Sequence, residues 1–220
     1  MKEANQNGTL KPSASTPLLV VLDLRDPFSY LALAPARALG IEKNALIDWI
    51  PARGHTLVSP TEPDASDDRG ILHRRARAKM IAREIAVYAE AQSLEISQPY
   101  RDGPADAAYG AWLWLRENRP ERLAGFLDAL FKAYWAAELD PANTDHVASL
   151  LDEDSTGRAE FERWQTEHGD TALRSIESEL HESGISQAPA YLLEDEVFYG
   201  RQHLPMIRWI LESRPGDGPA

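Results

Sequence analysis

Apolar residues along the chain follow two patterns, one typical of buried strands and one typical of amphipathic helices. Five consecutive apolar residues run from Leu18 to Leu22, which predicts a strand covered on both faces of a sheet. Asp26 and Pro27 follow and predict a helix start, because an N-cap carboxylate accepts backbone N–H bonds and proline at the first helical position loses no needed donor. We expect this helix to continue to about Leu39 and to stop at Gly40.

Strand patterns occur again after this helix and near the end of the chain. Ala45 to Ile50 predicts a second short strand that ends at Pro51, and it completes a β-α-β unit. A period of two returns after Gly184, where residues 191–193 and 197–199 flank an acidic turn and predict a hairpin. A last helix is predicted from about residue 204 to residue 213.

Between these end segments, beyond a polar loop at residues 52–70, the apolar spacing is helical. Helices are predicted at 71–94, at 106–117, from Pro120 and from 156 onward, the last as a pair hinged at Gly169. The helix from Pro120 has the clearest stripe, with the i, i+3, i+4, i+7 spacing of a helix with one buried side: Leu123, Phe126, Leu127, Leu130, Phe131 and Tyr134.

The helix predicted at 71–94 carries a basic stripe at helical spacing. Arg75, Lys79 and Arg83 form it. A solvated helix face is one interpretation of this pattern. A clamp for a substrate carboxylate is the other.

The order of these elements predicts an α/β fold, with a sheet built as β-α-β and β-β-α around a large all-helical insertion. We expect residues 17–55 and 184–214 to form the sheet domain and residues 56–183 to form the insertion. Residues 1–16 are polar and lack the apolar core of a secretory signal, so we expect a disordered tail on a cytoplasmic protein.

Composition excludes several classes of function. The 23 basic and 35 acidic side chains give a formal net charge of −12, which argues against a nucleic-acid partner or an anionic membrane surface. The absence of cysteine removes disulfides and any thiol redox motif of the chain itself. No histidine pair has metal-ligand spacing, so no metal site is predicted.

Three segments, in this order, resemble the DsbA-like proteins, which have a thioredoxin fold with a helical insertion. Within that group the chain is most similar to the kappa-class glutathione transferases and the 2-hydroxychromene-2-carboxylate isomerases. The segments are DLRDPFSYL from Asp23 to Leu31, GISQAPAY from Gly184 to Tyr191 and FYGRQHL from Phe198 to Leu204. They are similar to an opening D-x-x-S-P-[YF]-x-[YW]-L pattern, a G-V-x-G-V-P-T-F loop and an F-x-G-x-D-R-L element.

The resemblance implies a glutathione site beside a cis-proline. It implies a cis bond between Ala188 and Pro189, facing Asp26 across a cleft, with the backbone of Ala188 pairing with the cysteinyl part of glutathione. By the same resemblance, the start of the last helix, at Arg201, Gln202 and His203, holds the γ-glutamyl end. Relatives of this kind are commonly homodimers.

The chain departs from the family pattern at the residues that matter most for thiol chemistry. Asp26 stands where the glutathione enzymes have serine and the disulfide enzymes have their reactive cysteine, so an ionised carboxylate would repel a thiolate there. Gln202 replaces the acidic residue expected to meet the glutathione ammonium, which also weakens a glutathione site. Ser29 occupies the second cysteine position and excludes disulfide exchange.

Asp26 has two interpretations. As a helix N-cap it contributes about 1 kcal/mol of stability. As the catalytic general acid or base it needs a pKa raised by burial against the lowering effect of the helix terminus. We expect Phe28 or Ser29 to line the pocket, Asp23 to be a buried acid, and His203 to be either a ligand contact or an exposed residue at a helix start.

Two functions follow from these residues. The first is a glutathione-type isomerase or transferase acting on a small aromatic acid. The second is a DsbA-like scaffold without catalysis that binds a small ligand or a protein partner.

Overall fold

The computed structural model describes residues 10–13, 15, 17–54, 56–60, 62, 68–151 and 154–219. Most of the tail expected at residues 1–16 lies outside the described residues.

The described strands form one four-stranded sheet in the order β2-β1-β3-β4. Its strands are β1 (Leu18–Leu22), β2 (Ile47–Pro51), β3 (Ala190–Leu193) and β4 (Glu196–Tyr199). β1 pairs in parallel with β2 and antiparallel with β3, and β3 pairs antiparallel with β4. All five residues of β1 are buried, as its unbroken apolar run predicts for an inner strand covered on both faces.

The first helix, α1, spans Pro27–Lys43 and is longer than predicted. The predicted stop at Gly40 is wrong, because the helix runs through that glycine. The side chain of Ile47 packs so closely there that a Cβ on Gly40 would lie 2.7 Å from it. Asn44 ends the helix instead, with φ 50° in the left-handed region that asparagine tolerates.

The insertion is built from helices. They are α2 (Arg69–Ala91), α3 (Asp106–Asn118), α4 (Pro120–Trp135), α5 (Thr144–Ala148), α6 (Ser155–Trp164) and α7 (Asp170–Glu182), and α8 (Leu204–Leu211) follows the sheet. A π-helical stretch, Gln165–Gly169, joins α6 to α7. The hinge predicted at Gly169 is therefore wrong, because the backbone stays helical throughout.

One aromatic cluster fixes the insertion against the sheet domain. Phe131 of α4 is fully buried and stacks on Tyr30 of α1 with ring centroids 5.7 Å apart. Its ring also meets Trp112 of α3 edge-on at 6.2 Å. The indole N–H of Trp112 donates to the backbone oxygen of Trp49 in β2 at 3.0 Å. The fold class predicted from the sequence, a thioredoxin-like sheet with a helical insertion, is confirmed.

Among the described residues, no helix combines the length and the apolar character that a membrane span requires.

Replacing Phe131 with alanine is expected to lower the free energy of unfolding by about 3–5 kcal/mol, because it empties a fully buried site shared by three helices. Urea denaturation followed by circular dichroism measures this change. Met80→Ala, at a position that is 65 % exposed, is the control and should change stability by less than about 0.5 kcal/mol. Equal effects of the two substitutions would contradict this packing.

Candidate active site

The joint between β1 and α1 holds a buried carboxyl group. Asp26 is 7 % exposed and caps α1, accepting from the backbone N–H of Ser29 at 2.9 Å and of Phe28 at 3.3 Å. The Ser29 hydroxyl donates to the same Asp26 oxygen at 2.9 Å. The prediction that Asp26 is the N-cap of this helix is therefore confirmed.

Burial is the largest influence on the pKa of this carboxyl group. Removal from water raises the pKa of Asp26 from its ordinary value of 3.8 to about 7, and the hydrogen bond from Ser29 opposes that rise. The negative charge of Asp23 adds to the rise, and the backbone N–H bonds oppose it. An Asp26 side chain with this pKa holds a proton part of the time at neutral pH.

Asp23 lies beside Asp26 and is connected to it through Ser29. The hydroxyl oxygen of Ser29 accepts from the backbone N–H of Asp23 at 3.1 Å while its own proton goes to Asp26. The Asp23 carboxylate is 1 % exposed and accepts from Arg25, from the Gly54 N–H at 2.7 Å and from the Tyr109 hydroxyl. The prediction that Asp23 is a buried acid is confirmed.

Tyr109 ties this joint to the insertion. Burial and the Asp23 charge raise the pKa of Tyr109 well above its ordinary value of 10, so its hydroxyl remains a donor. The same hydroxyl accepts from Arg25 Nε at 3.2 Å. Sequence reasoning missed Tyr109, because a tyrosine 86 residues along the chain from Asp23 carries no local signal of this contact.

A cleft of about 480 Å³ opens beside the start of α1. It brings together the first turn of α1, a face of α2, the proline loop and the turn after β4. The Ala188–Pro189 peptide bond at its edge is cis. The lining residues are Phe28, Glu84, Tyr88, Gln187, Ala188, Pro189, Tyr199, Gly200, Arg201 and Gln202.

The cleft contains one cation and one anion among its described lining residues. The guanidinium of Arg201 lies 3.4 Å from the centroid of the Tyr88 ring, a cation–π contact that holds it in place. Glu84, one helical turn before Tyr88 on α2, supplies the carboxylate. Tyr88 and Glu84 were missed by sequence reasoning, because the segments that carry the family resemblance all lie outside the insertion.

The structure brings five of the predicted site residues to the cleft: Phe28, Ala188, Pro189, Arg201 and Gln202. Ser29 is fully buried and bonds to Asp26 instead of lining the cleft, so its expected place in the pocket wall is corrected. His203 is half-buried with its ring 5.8 Å from that of Phe198, and it does not line the cleft. Asp26 does not line the cleft either, so its expected place facing the cis-proline across the cleft is corrected; it lies two residues before Phe28, which does line it.

Gln202 and Ala188 differ in the hydrogen-bonding groups that they leave available to a ligand in the cleft. One N–H of the Gln202 amide donates to the Tyr199 backbone oxygen at 2.8 Å and is thereby used within the chain. Neither the N–H nor the carbonyl of Ala188 bonds to another residue in the described part of the chain. Those backbone groups are available to a ligand in the cleft.

Acidic residues and histidines do not converge on a metal-binding cluster anywhere in the described ranges.

Comparison with known proteins shows that this chain shares its fold with DsbA-like proteins. No family model matches the chain. A 2-hydroxychromene-2-carboxylate isomerase from Sphingobium xenophagum is 21% identical over 190 residues, which cover 84% of this chain and 92% of that protein. The match spans nearly the full length of both chains.

Several solved structures share the fold of this chain. A 2-hydroxychromene-2-carboxylate isomerase superposes with a TM-score of 0.66 at 15% identity, covering 89% of this chain and 94% of the other. A probable DsbA oxidoreductase from Streptomyces coelicolor superposes with a TM-score of 0.67 at 14% identity, covering 92% of each chain. The cytosolic disulfide reductase DsbM from Pseudomonas aeruginosa, solved with GSH, gives 0.59 at 17%, covering 90% and 98%.

Asp26→Asn is expected to change how stability depends on pH. A carboxyl whose folded pKa is raised stabilises the fold below its unfolded pKa, and this contribution is lost as pH rises through the folded value. The unfolding free energy of the parent protein relative to Asp26→Asn should therefore fall between pH 4 and pH 8, by up to about 4 kcal/mol. Urea melts of both proteins across this range measure the difference.

The control is Asp195→Asn, which removes one carboxylate from the exposed turn between β3 and β4. Its stability relative to the parent should stay nearly constant over the same range. A flat difference for Asp26→Asn as well would contradict the raised pKa.

Proposed function

Because this chain has the DsbA-like thioredoxin fold, we propose that it is an isomerase that binds a small aromatic carboxylate in the cleft and moves a proton with Asp26. The observation that carries the proposal is the buried carboxyl group, with a pKa raised to about 7, two residues along the chain from Phe28, which lines a cleft that also contains the Arg201 guanidinium. The similarity in sequence to a 2-hydroxychromene-2-carboxylate isomerase supports the reaction class.

Arg201 is the proposed partner of the substrate carboxylate. Its guanidinium is held against the Tyr88 ring, so it loses little additional freedom when it forms a charge-assisted hydrogen bond. In a protein with a net charge of −12, a cation inside a cleft gives an anionic substrate a specific point of attraction. The rings of Phe28, Tyr88 and Tyr199 provide an aromatic wall for the rest of the molecule.

Asp26 is the proposed proton-transfer residue. Double-bond isomerisation removes a proton from one carbon and delivers a proton to another, with no net redox change. A carboxyl whose pKa lies near the working pH serves both steps, because it is neither fully ionised nor fully protonated. Ser29 is a positioning residue, since its hydroxyl is held by the Asp23 N–H and fixes one oxygen of Asp26.

Glutathione is the proposed cofactor, and the cleft residues fit it in part. The unbonded backbone groups of Ala188 suit a peptide, Arg201 suits a carboxylate and Glu84 suits an ammonium group. Glutathione would supply a thiol nucleophile when bound. A partly protonated Asp26 repels a thiolate less than the ionised carboxylate expected from sequence, whereas Gln202 offers no charge to the ligand.

A scaffold without catalysis is the second candidate. The observation in its favour is that Asp26 is almost completely buried and accepts three hydrogen bonds as an N-cap, which suffices to explain it structurally. In that case the cleft binds a small ligand or a protein partner. For both candidate functions we also propose a homodimer, as the resemblance implies, and a cytoplasmic location, as the polar N-terminal segment predicts.

Arg201→Gln is expected to weaken glutathione binding about tenfold, because it removes a charge-assisted hydrogen bond. Isothermal titration calorimetry should show binding to the parent protein in the micromolar to low millimolar range. Arg174→Gln is the control, since Arg174 is exposed on α7 and pairs only with Asp170 within the described residues. No heat from the parent protein at several millimolar glutathione would remove glutathione from the proposal.

Asp26→Asn is expected to lower kcat/KM for 2-hydroxychromene-2-carboxylate, the compound named in the similar proteins, at least about 100-fold. The parent should show a break in its pH profile near pH 7, and the remaining activity of the variant should lose that break while substrate affinity is retained. Steady-state kinetics from pH 5 to pH 9 measure both effects. A parent protein that binds this compound without converting it would favour the scaffold.

A further inference from the structure

A second cavity, of about 460 Å³, lies along the first turns of α2. We call it the α2 groove. Its walls are mainly apolar and come from the loop before α2, from α2 itself and from Tyr100. The lining residues are Leu57, Val58, Ser59, Pro60, Ile71, Arg74, Arg75, Arg77, Ala78, Ile81 and Tyr100.

The α2 groove is separate from the cleft. The two cavities have no lining residue in common. They are neighbours, because Leu57 and Ile81 of the groove pack in the same apolar cluster as Phe28 of the cleft. Their different walls mean that binding to each can be tested independently.

Three arginines line this apolar cavity. Arg75 is 8 % exposed, and one of its guanidinium nitrogens donates to the Glu62 backbone oxygen at 2.8 Å. Arg74 and Arg77 are exposed, and neither forms an ion pair with any residue in the described ranges. Such a concentration of positive charge on a mainly apolar wall is unexpected in a chain with a net charge of −12.

We propose that the α2 groove is a binding site for a monocarboxylic acid with an apolar body. The apolar body is removed from water against Leu57, Ile71 and Ile81, where the hydrophobic effect supplies most of the affinity. The carboxylate is met by Arg74 and Arg77, whose guanidinium groups form charge-assisted hydrogen bonds with it.

The size and lining of the groove select this ligand class. Its volume falls in the range of small-molecule sites, roughly 300–1,000 Å³. A free phosphate would leave the apolar wall uncovered, and a neutral hydrocarbon would form no charge-assisted hydrogen bond with Arg74 or Arg77. The carboxylate clamp considered for Arg75, Lys79 and Arg83 is thus replaced by Arg74 and Arg77, because Lys79 and Arg83 line neither cavity.

The test is calorimetric titration with decanoate, below the concentration at which it forms micelles. The parent protein should show saturable binding, and decan-1-ol should bind at least about tenfold more weakly because it lacks the charge. The double substitution Arg74→Gln/Arg77→Gln should weaken decanoate binding by about tenfold or more. Ala78→Trp, which fills the groove, should abolish it.

The matched control is Lys79→Gln/Arg83→Gln, which removes the same charge from the same helix at residues outside the groove. It should leave decanoate affinity within about twofold of the parent, since separated surface charges contribute little. Equal losses in the two double variants, or no binding to the parent, would overturn the proposal.

Arg201→Gln separates this site from the cleft. Decanoate binding should be unaffected by this substitution. If Arg201→Gln abolishes decanoate binding and the Arg74/Arg77 variant does not, the acid binds in the cleft, so the groove proposal fails and the proposed function stands. If the Arg74/Arg77 variant instead changes the oligomeric state in sedimentation while no decanoate binds, the groove is a contact between copies of the chain.

Discussion

Burial of the Asp26 carboxyl group at the N-terminus of α1 is the constraint on which the rest of this site depends. A carboxylate at a helix N-terminus is ordinarily stabilised in its ionised form by N–H groups and the helix dipole. Here removal from water outweighs those hydrogen bonds, and the neighbouring charge of Asp23 acts in the same direction. The two opposing effects leave a carboxyl that can hold or release a proton near neutral pH.

Both parts of the fold contribute to this arrangement. The end of β1 and the start of α1 bring Asp23, Asp26 and Ser29 together, and the insertion contacts this group through α3. Tyr109 of α3 donates to Asp23, while α2 supplies Tyr88 and Glu84 to the cleft. The insertion is therefore part of the candidate site, and the aromatic cluster around Phe131 determines where its helices lie.

Local sequence signals predicted the elements that depend on local physics. The unbroken apolar run gave β1, and Asp26 with Pro27 gave the start of α1, because caps and strand burial leave a mark within a few residues. The end of α1 was mispredicted. Gly40 lies inside the helix, where the absence of a Cβ leaves room for the side chain of Ile47, and Asn44 in the left-handed conformation ends the helix. The prediction of a hinge at Gly169 was also wrong, because a π-helical stretch continues the helical backbone from α6 to α7 without a break.

The site was predictable only where it lies in the segments that resemble known families. Phe28, Ala188, Pro189, Arg201 and Gln202 were found in this way, and they do line one cleft. Contacts across the insertion, such as Tyr109 on Asp23 or Tyr88 under Arg201, join residues far apart in the chain and have no signature in a single sequence. The balance of burial against hydrogen bonding at Asp26 likewise depends on everything packed around it.

Direct titration of Asp26 tests this account most sharply. Carbon-13 NMR of aspartate carboxyl groups, with the Asp26 resonance assigned by its absence in Asp26→Asn, follows the protonation of this one side chain in the folded protein. The Asp26 carboxyl group should titrate with a midpoint near pH 7. A midpoint near 4, the ordinary value for an aspartate, would contradict this prediction and leave Asp26 as a helix cap alone.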